Sequence, residues 1–380
     1  MKRADAQVLF VPRYEYLSAP AFLPVAAELT RMGIPPVLAT LDHPDAHWPQ
    51  WAGKTYPIWA KHRGRERFID LRADRRRVAR MFDDINPGLL VLSSDIGGWR
   101  VRLAVREAEH RRIPILLLLT VEIPSEYHAT RGARLRKHLW WVPGPLGSAI
   151  FDATKPGDFA RAYYLAVPGA ALRDRYRGFG VPSDRIFETG NPAYDSVLEL
   201  SRQPQTAITE LTFWTEVIHE TYGREYALSV FESVVSAGAE AGLRLRIRLH
   251  PREPADLIEE YGRLIGQKGR IDRGPGDEAL AAPALHVAHF STSLERAAIV
   301  NRPAISINFR ADRRGRIFPP ACEVTTPRDL REAIDLARAD PAAWAARLES
   351  WRRGRMPPLD GGAGRRVAAV VRTLLARGEA

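Results

Sequence analysis

A single cysteine, Cys322, occurs in 380 residues. An intramolecular disulfide framework is therefore excluded, and the usage fits a reducing compartment. No apolar run approaches the ~18 residues that cross a bilayer. The N-terminus passes from Met1-Lys2-Arg3-Ala4-Asp5 straight into Val8-Leu9-Phe10-Val11, without the long apolar core and cleavage site of an export signal. A cytoplasmic location is expected. No glycine-rich dinucleotide fingerprint and no phosphate loop ending in Gly-Lys-Ser/Thr is present, and Gly97-Gly98 lacks the spacing of either. This argues against a dehydrogenase or a P-loop ATPase. A Gly-x-Ser-x-Gly nucleophile elbow is missing too. The ten histidines show no metal-site spacing; His43 and His47 lie four apart, but Pro44 breaks the helix that would align them. Neither a metal nor a cofactor is expected.

Acidic residues are outnumbered, 45 against 56 Lys and Arg, and the net charge of +11 is carried almost wholly by arginine. Such a field favours anionic partners: nucleotides, acidic glycans, anionic lipid headgroups or nucleic acid. The arginines are scattered, so no nucleic-acid tail stands out. The densest basic segment, Arg131 to His138, leads into Leu139-Trp140-Trp141-Val142-Pro143. It reads either as peripheral contact with the inner membrane surface or as a solvated loop followed by a core-packing Trp pair.

Hydrophobic content of 45% and charged content of 27% are those of a soluble globular protein, and the length allows two domains with separate cores. The first half alternates strand and helix. Strands are expected at Val8–Pro12, Pro36–Leu41, Leu89–Ser93 and Ile115–Leu119, with helices at Ala21–Met32, Arg75–Ile85 and Trp99–Arg111. A second series begins near Ile208. It has strands at Ile208–Trp214, into His250, into Ser291 and at Ala304–Asn308, and helices at Arg224–Ala241, Ala255–Ile265 and Leu294–Val300. Repeated strand–helix–strand units imply doubly wound parallel sheets. The polar Ser201–Thr206 reads as a hinge. The expected organisation is an N-terminal domain over 1–200, a C-terminal domain over 207–345 and a helical segment over 346–380 that packs back on the first.

Two polar clusters follow strand-like runs of the second half: Arg248-Leu249-His250-Pro251-Arg252-Glu253 and Phe290-Ser291-Thr292-Ser293-Leu294-Glu295. Polar residues at strand C-terminal ends occupy the ligand edge of an open α/β sheet. A ring N–H from His250, with hydroxyls and amides from Ser291, Thr292 and Ser293 at a helix start, would make a phosphate socket. The alternative is a buried histidine and an ordinary helix N-cap.

Two such halves with a socket in the second resemble the GT-B glycosyltransferase fold, in which two Rossmann-like domains face each other across a cleft. His250-Pro251 and the Ser/Thr cluster at 291–293 are similar to the "HP" and "S" motifs of bacterial sialyltransferases and related capsule or lipo-oligosaccharide transferases. The run from Ser291 to Ile307 also resembles a pattern of wall-polymer glycerophosphotransferases and UDP-N-acetylglucosamine 2-epimerases. Thr189-Gly190-Asn191-Pro192-Ala193-Tyr194-Asp195 resembles the signature that precedes the interdomain linker in that superfamily.

The resemblance implies a metal-independent transferase of bacterial surface polysaccharide or glycolipid assembly. It would take a CMP- or UDP-sugar donor in its C-terminal domain and a glycan or glycolipid acceptor in its N-terminal domain. His250 and Ser291 to Ser293 would hold the donor phosphate, and Glu295 the ribose hydroxyls. Arg248, Pro251, Arg252, Thr215 and Glu216 would line the donor site. Asp95, and next Glu122, would supply the base, and Arg13, Tyr14 and Glu15 would touch the acceptor. The alternatives are a non-hydrolysing nucleotide-sugar 2-epimerase and a non-catalytic binder of nucleotide sugars or nucleic acid.

Overall fold

In the computed structural model, the described residues are 7–12, 15–41, 51–59, 71–93, 99–120, 163–198, 200, 207–216, 218–250, 253–273, 276–289, 291–310, 323–344, 346–347 and 359–377. They divide into two compact units, Met1–Asp195 with Arg355–Ala380, and Ser196–Gly354.

The first unit holds β1 (Gln7–Val11), α1 (Glu15–Arg31), β2 (Pro36–Leu41), β3 (Lys54–Trp59), α2 (Leu71–Ile85), β4 (Pro87–Leu92), α3 (Trp99–His110), β5 (Ile115–Leu118), β6 (Tyr164–Val167), α4 (Ala170–Gly178) and β7 (Ile186–Glu188). Its sheet runs β3-β2-β1-β4-β5-β6-β7, and every pairing is parallel. The strands are continuous apolar runs because both faces are covered. Leu9, Leu90 and Leu117 pack against Val78, Met81 and Phe82 of α2. Val8, Phe10 and Leu116 face the other way, onto Phe22 and Val25 of α1 and Val367 and Val371 of the last helix, α11 (Ala363–Arg377).

The helix α1 opens at Glu15, six residues before the expected start at Ala21, and carries Pro20 and Pro24 inside it. Proline inside a pattern normally marks a helix boundary, and Pro20 stands directly before the expected start. Glu15 therefore begins a helix rather than ending the first strand. The close approach of α11 to α1 requires Gly364: a Cβ there would lie 2.9 Å from the Pro24 Cβ.

The second unit holds β8 (Glu210–Trp214), α5 (Ile218–Tyr222), α6 (Arg224–Glu240), β9 (Arg244–Arg248), α7 (Ala255–Ile265), β10 (Gly269–Asp272), α8 (Gly276–Ala281), β11 (Ala284–Ala288), α9 (Thr292–Ile299), β12 (Ala304–Ile307), β13 (Glu323–Val324) and α10 (Pro327–Ala339). Its all-parallel sheet runs β10-β9-β8-β11-β12-β13. Counted from β8, that is 3-2-1-4-5-6, the doubly wound order, with the direction of winding reversed between β8 and β11.

One sheet face is apolar. Leu211, Phe213, Leu245, Ile247, Val287 and Ile305 share a core with α6, α7 and α10, and Phe231 stacks on Tyr261 at 4.2 Å. The opposite face of the β8–β10 half carries charge. Arg246 Nε lies 2.6 Å from Glu210 Oε1, and Arg248 Nη1 lies 3.3 Å from Asp272 Oδ1. The alternation Leu-Arg-Leu-Arg-Ile-Arg thus reports one apolar and one ion-paired face.

Candidate functional site

The reversal of strand order in the second unit opens its C-terminal edge between β8 and β11, where doubly wound sheets take their ligands. Register fixes what arrives there: Trp214 pairs with Arg248 on one side and Ala288 on the other. The residues after those three strands come to one edge: Thr215 after β8, His250 after β9, and His289 and Ser291 after β11.

Thr215 is the joint between the first two loops. Its amide donates to the Arg248 carbonyl at 2.9 Å, and its buried hydroxyl accepts from the His250 amide at 2.8 Å. The start of the His250 loop is therefore held by the β8 loop. Behind it lies Glu253, whose carboxyl is inaccessible to solvent and sits 3.4 Å from His219 Nδ1 on α5. Burial pushes this carboxyl up to about 7, against the pull of the Thr215 hydroxyl and with the help of Glu220.

The third loop caps α9. Ser291 is buried, and its hydroxyl accepts from the Ser293 amide at 3.0 Å, the geometry of an N-cap. Thr292 and Ser293 are half-buried and Glu295 is buried. The helix start presents backbone N–H groups and the positive end of its dipole, which favours an anion.

His289, fully buried, adds a wall to this edge. Its Nε2 lies 3.2 Å from the Tyr226 hydroxyl. Its ring meets Tyr222 and Tyr226 at centroid distances of 5.3 and 5.7 Å, and the Arg310 guanidinium lies over both tyrosines at 5.2 and 5.5 Å. His286, deep in β11, is a different case. Burial, with Arg302 and Arg246 nearby, pushes it down to about 3, and its Nδ1 accepts from the Trp214 indole at 3.1 Å. It is a neutral packing residue.

The sequence-selected residues divide accordingly. Thr215, Glu216, His250, Ser291, Thr292, Ser293 and Glu295 come to one edge of one sheet. Arg248 belongs to the charged sheet face, held by Asp272 and lying 5.6 Å over the Trp214 ring. Pro251 and Arg252 lie outside the described residues, as do Arg13, Tyr14, Asp95 and Glu122; only the backbone of Glu15 is described. Asp95 follows the end of β4 and Glu122 the end of β5, which are neighbouring parallel strands. Sequence reasoning did not single out Glu253, His219, Tyr222, Tyr226 or Arg310. The one visible signal was His219 and Tyr222 clustered just after a strand end.

The segment from Thr189 to Asp195 is a structural junction of the first unit. The Asn191 side chain donates to the Thr120 carbonyl at 2.8 Å and accepts from the Ala193 amide at 3.0 Å. Asp195 accepts from the Ala363 and Gly364 amides at the start of α11. Gly190 has φ +80, and a Cβ there would lie 3.0 Å from Arg366 Nη2, so glycine is needed on both counts. Among the described residues, no three His, Cys, Asp or Glu side chains group to hold a metal ion, and no helix is long and apolar enough to cross a membrane.

No family model matches the chain, and no curated protein matches it. Solved structures do resemble it. A UDP-GlcNAc 2-epimerase from Neisseria meningitidis, bound to UDP-GlcNAc, is 12% identical with a TM-score of 0.64, over 97% of this chain and 100% of that one. A UDP-GlcNAc 2-epimerase from Methanocaldococcus jannaschii, in complex with UDP-GlcNAc and UDP, is 13% identical with a TM-score of 0.62, over 97% and 99%. The glycotransferase of kitacinnamycin is 16% identical with a TM-score of 0.60, over 98% and 99%. The two doubly wound units are those of the GT-B architecture.

Proposed function

We propose that this protein is a nucleotide-sugar enzyme, and that it works as a metal-independent glycosyltransferase. It would move a sugar from a CMP- or UDP-activated donor to a surface polysaccharide or glycolipid acceptor on the cytoplasmic side of the membrane. The observation that carries the reading is the convergence of Thr215, His250 and the Ser291–Ser293 helix start on the edge where strand order reverses. There the α9 dipole, its amides and the His250 ring would stabilise charge developing on the leaving phosphate. The acceptor hydroxyl would lose its proton to an N-domain carboxylate, Asp95 first and Glu122 second. Arg13, Tyr14 and Glu15 would meet the acceptor.

Epimerisation is the second reading, supported by the resemblance to two UDP-GlcNAc 2-epimerases. Two features of the sequence depart from the epimerase pattern, and the Asp/Glu-Asp/Glu-Gly motif expected of the sialyltransferases is missing as well. Thr292-Ser293 follows Ser291 where the epimerases usually carry Gly-Gly, and the loop after Trp214 does not read as their His-Arg-Arg-Glu-Asn. Incubation with UDP-N-acetylglucosamine alone tests the choice. Isomerised product without a second substrate establishes epimerisation, whereas turnover only after a glycan acceptor is added establishes transfer. A thermal-shift screen of CMP, CDP, UMP, UDP and GDP identifies the base, because a ligand at one hundred times its Kd adds ~2.7 kcal/mol. No stabilisation by any of them would refute the nucleotide reading.

A further inference from the structure

A concave site lies in the first unit, far in sequence from the proposed phosphate socket. It is a groove of about 540 Å³ on the outer side of α2 and α3. Arg75 and Arg76 enter it from α2 and Arg106 from α3. All three side chains are exposed, and among the described residues none of them is ion-paired. What distinguishes them from other exposed arginines is that all three line one concavity, whereas Arg111, Arg173, Arg224, Arg246, Arg331 and Arg366 each hold a carboxylate.

The groove's one acid does not offset them. Glu107 is held by Arg111 Nε at 2.7 Å, and Arg111 also reaches Asp83 at 2.8 Å and the Ala79 carbonyl at 3.1 Å. Three solvated guanidinium groups around one groove raise the local positive potential, which favours an anionic ligand. The lining is apolar where Val78, Ala79 and Leu103 meet. Ala79 and Leu103 are only half-buried, which leaves apolar surface for the C–H faces of sugar rings. The volume is that of a small-ligand site.

We propose that the α2–α3 groove binds an acidic carbohydrate, with its phosphate or carboxylate groups on Arg75, Arg76 and Arg106 and its ring faces on Leu103 and Ala79. Planar guanidinium forks from two helices suit groups of that shape. The site deepens the transferase reading by naming the acceptor class. The binding itself stands on the groove alone, so it can hold where the transferase reading fails.

The test is calorimetry on the full chain at low salt with an oligogalacturonate. Uncharged maltooligosaccharide of equal length, phosphatidylglycerol vesicles and poly-U RNA form the comparison arms. Wild type should bind the acidic oligosaccharide and not the neutral one. R75A/R76A/R106A should weaken binding at least tenfold, given the strength of charge-assisted hydrogen bonds. The charge-matched control R244A/R263A/R372A, at exposed arginines elsewhere, should bind within twofold of wild type. Thermal midpoints of both variants show whether each is folded. Equal losses in the two triple variants would reduce the effect to net charge and overturn the site. So would vesicle or RNA binding that exceeds the oligosaccharide and depends on the same three arginines. If neither CMP-sugar nor UDP-sugar turnover is found but the groove binds as stated, the transferase reading fails and this one survives.

Discussion

At the scale of single residues, the start of the His250 loop depends on the Thr215 hydroxyl, which accepts from the His250 amide. His250→Ala should weaken nucleotide binding by about 1.5–3 kcal/mol, the range for hydrogen bonds to charged groups. Thr215→Val keeps the shape but removes the acceptor of the His250 amide. It should lose ~1 kcal/mol or more of nucleotide affinity, while Thr215→Ser restores it; calorimetry reads both. The position of Thr215 and His250 at strand ends was legible from the apolar runs before them. Glu253 was not, although it stands in the same motif as His250. Its carboxyl lies against His219 of α5, thirty-four residues upstream, and no local pattern encodes that neighbour.

The raised carboxyl of Glu253 gives a pH prediction with a definite sign. A folded-state value of about 7 against the ordinary 4.5 means that the protonated form fits the fold better. The contribution is fully present below about 4.5 and is lost as pH rises through about 7. The span corresponds to about 3 kcal/mol at 1.36 kcal/mol per pH unit. Glu253→Gln copies the protonated form, so its stability relative to wild type should rise between pH 5 and pH 8. Denaturant titrations at both pH values check this; a constant difference would mean that Glu253 titrates normally.

At the scale of elements, α4, α5 and α8 went unread and α1 starts six residues earlier than expected, but the other helices and the central strands were read from periodicity to within a few residues. The strands β3, β6, β10 and β13 were not. Gly269-Arg270-Ile271-Asp272 has one apolar residue and shows no period, so only its pairing with β9 identifies β10 as a strand. Glu323-Val324 is too short to carry a pattern, and Pro57 disguises β3. Packing between elements was also hidden. Gly238, inside α6, reads as a helix-weakening residue, yet a Cβ there would lie 2.4 Å from Leu245 Cδ2. Gly238→Ala should therefore destabilise the second unit by ~1–3 kcal/mol through overpacking, although alanine is the better helix former. Ser291→Ala removes the α9 cap and should cost about 1 kcal/mol of stability. It should also weaken nucleotide binding, and the two effects separate because Ser291→Gly costs only a few tenths of a kcal/mol in capping.

At the scale of the whole molecule, the two units have separate cores, and the C-terminal helix belongs to the first. Val367, Val371 and Leu374 are fully buried there, and each is worth roughly 1.5–3 kcal/mol on burial. Two-unit chains need not unfold in one step, so scanning calorimetry should resolve two transitions. Asp195→Ala, which uncaps α11, should lower the first unit's transition by the equivalent of about 1 kcal/mol and leave the other in place. A nucleotide bound at the β8–β11 edge should do the reverse, raising only the second unit's transition by up to ~2.7 kcal/mol at one hundred times its Kd. His250→Ala should abolish that rise, and excess EDTA should leave it intact. If the nucleotide raises the transition that Asp195→Ala lowers, the phosphates sit in the first unit and the socket assigned to Thr215, His250 and Ser291 is wrong.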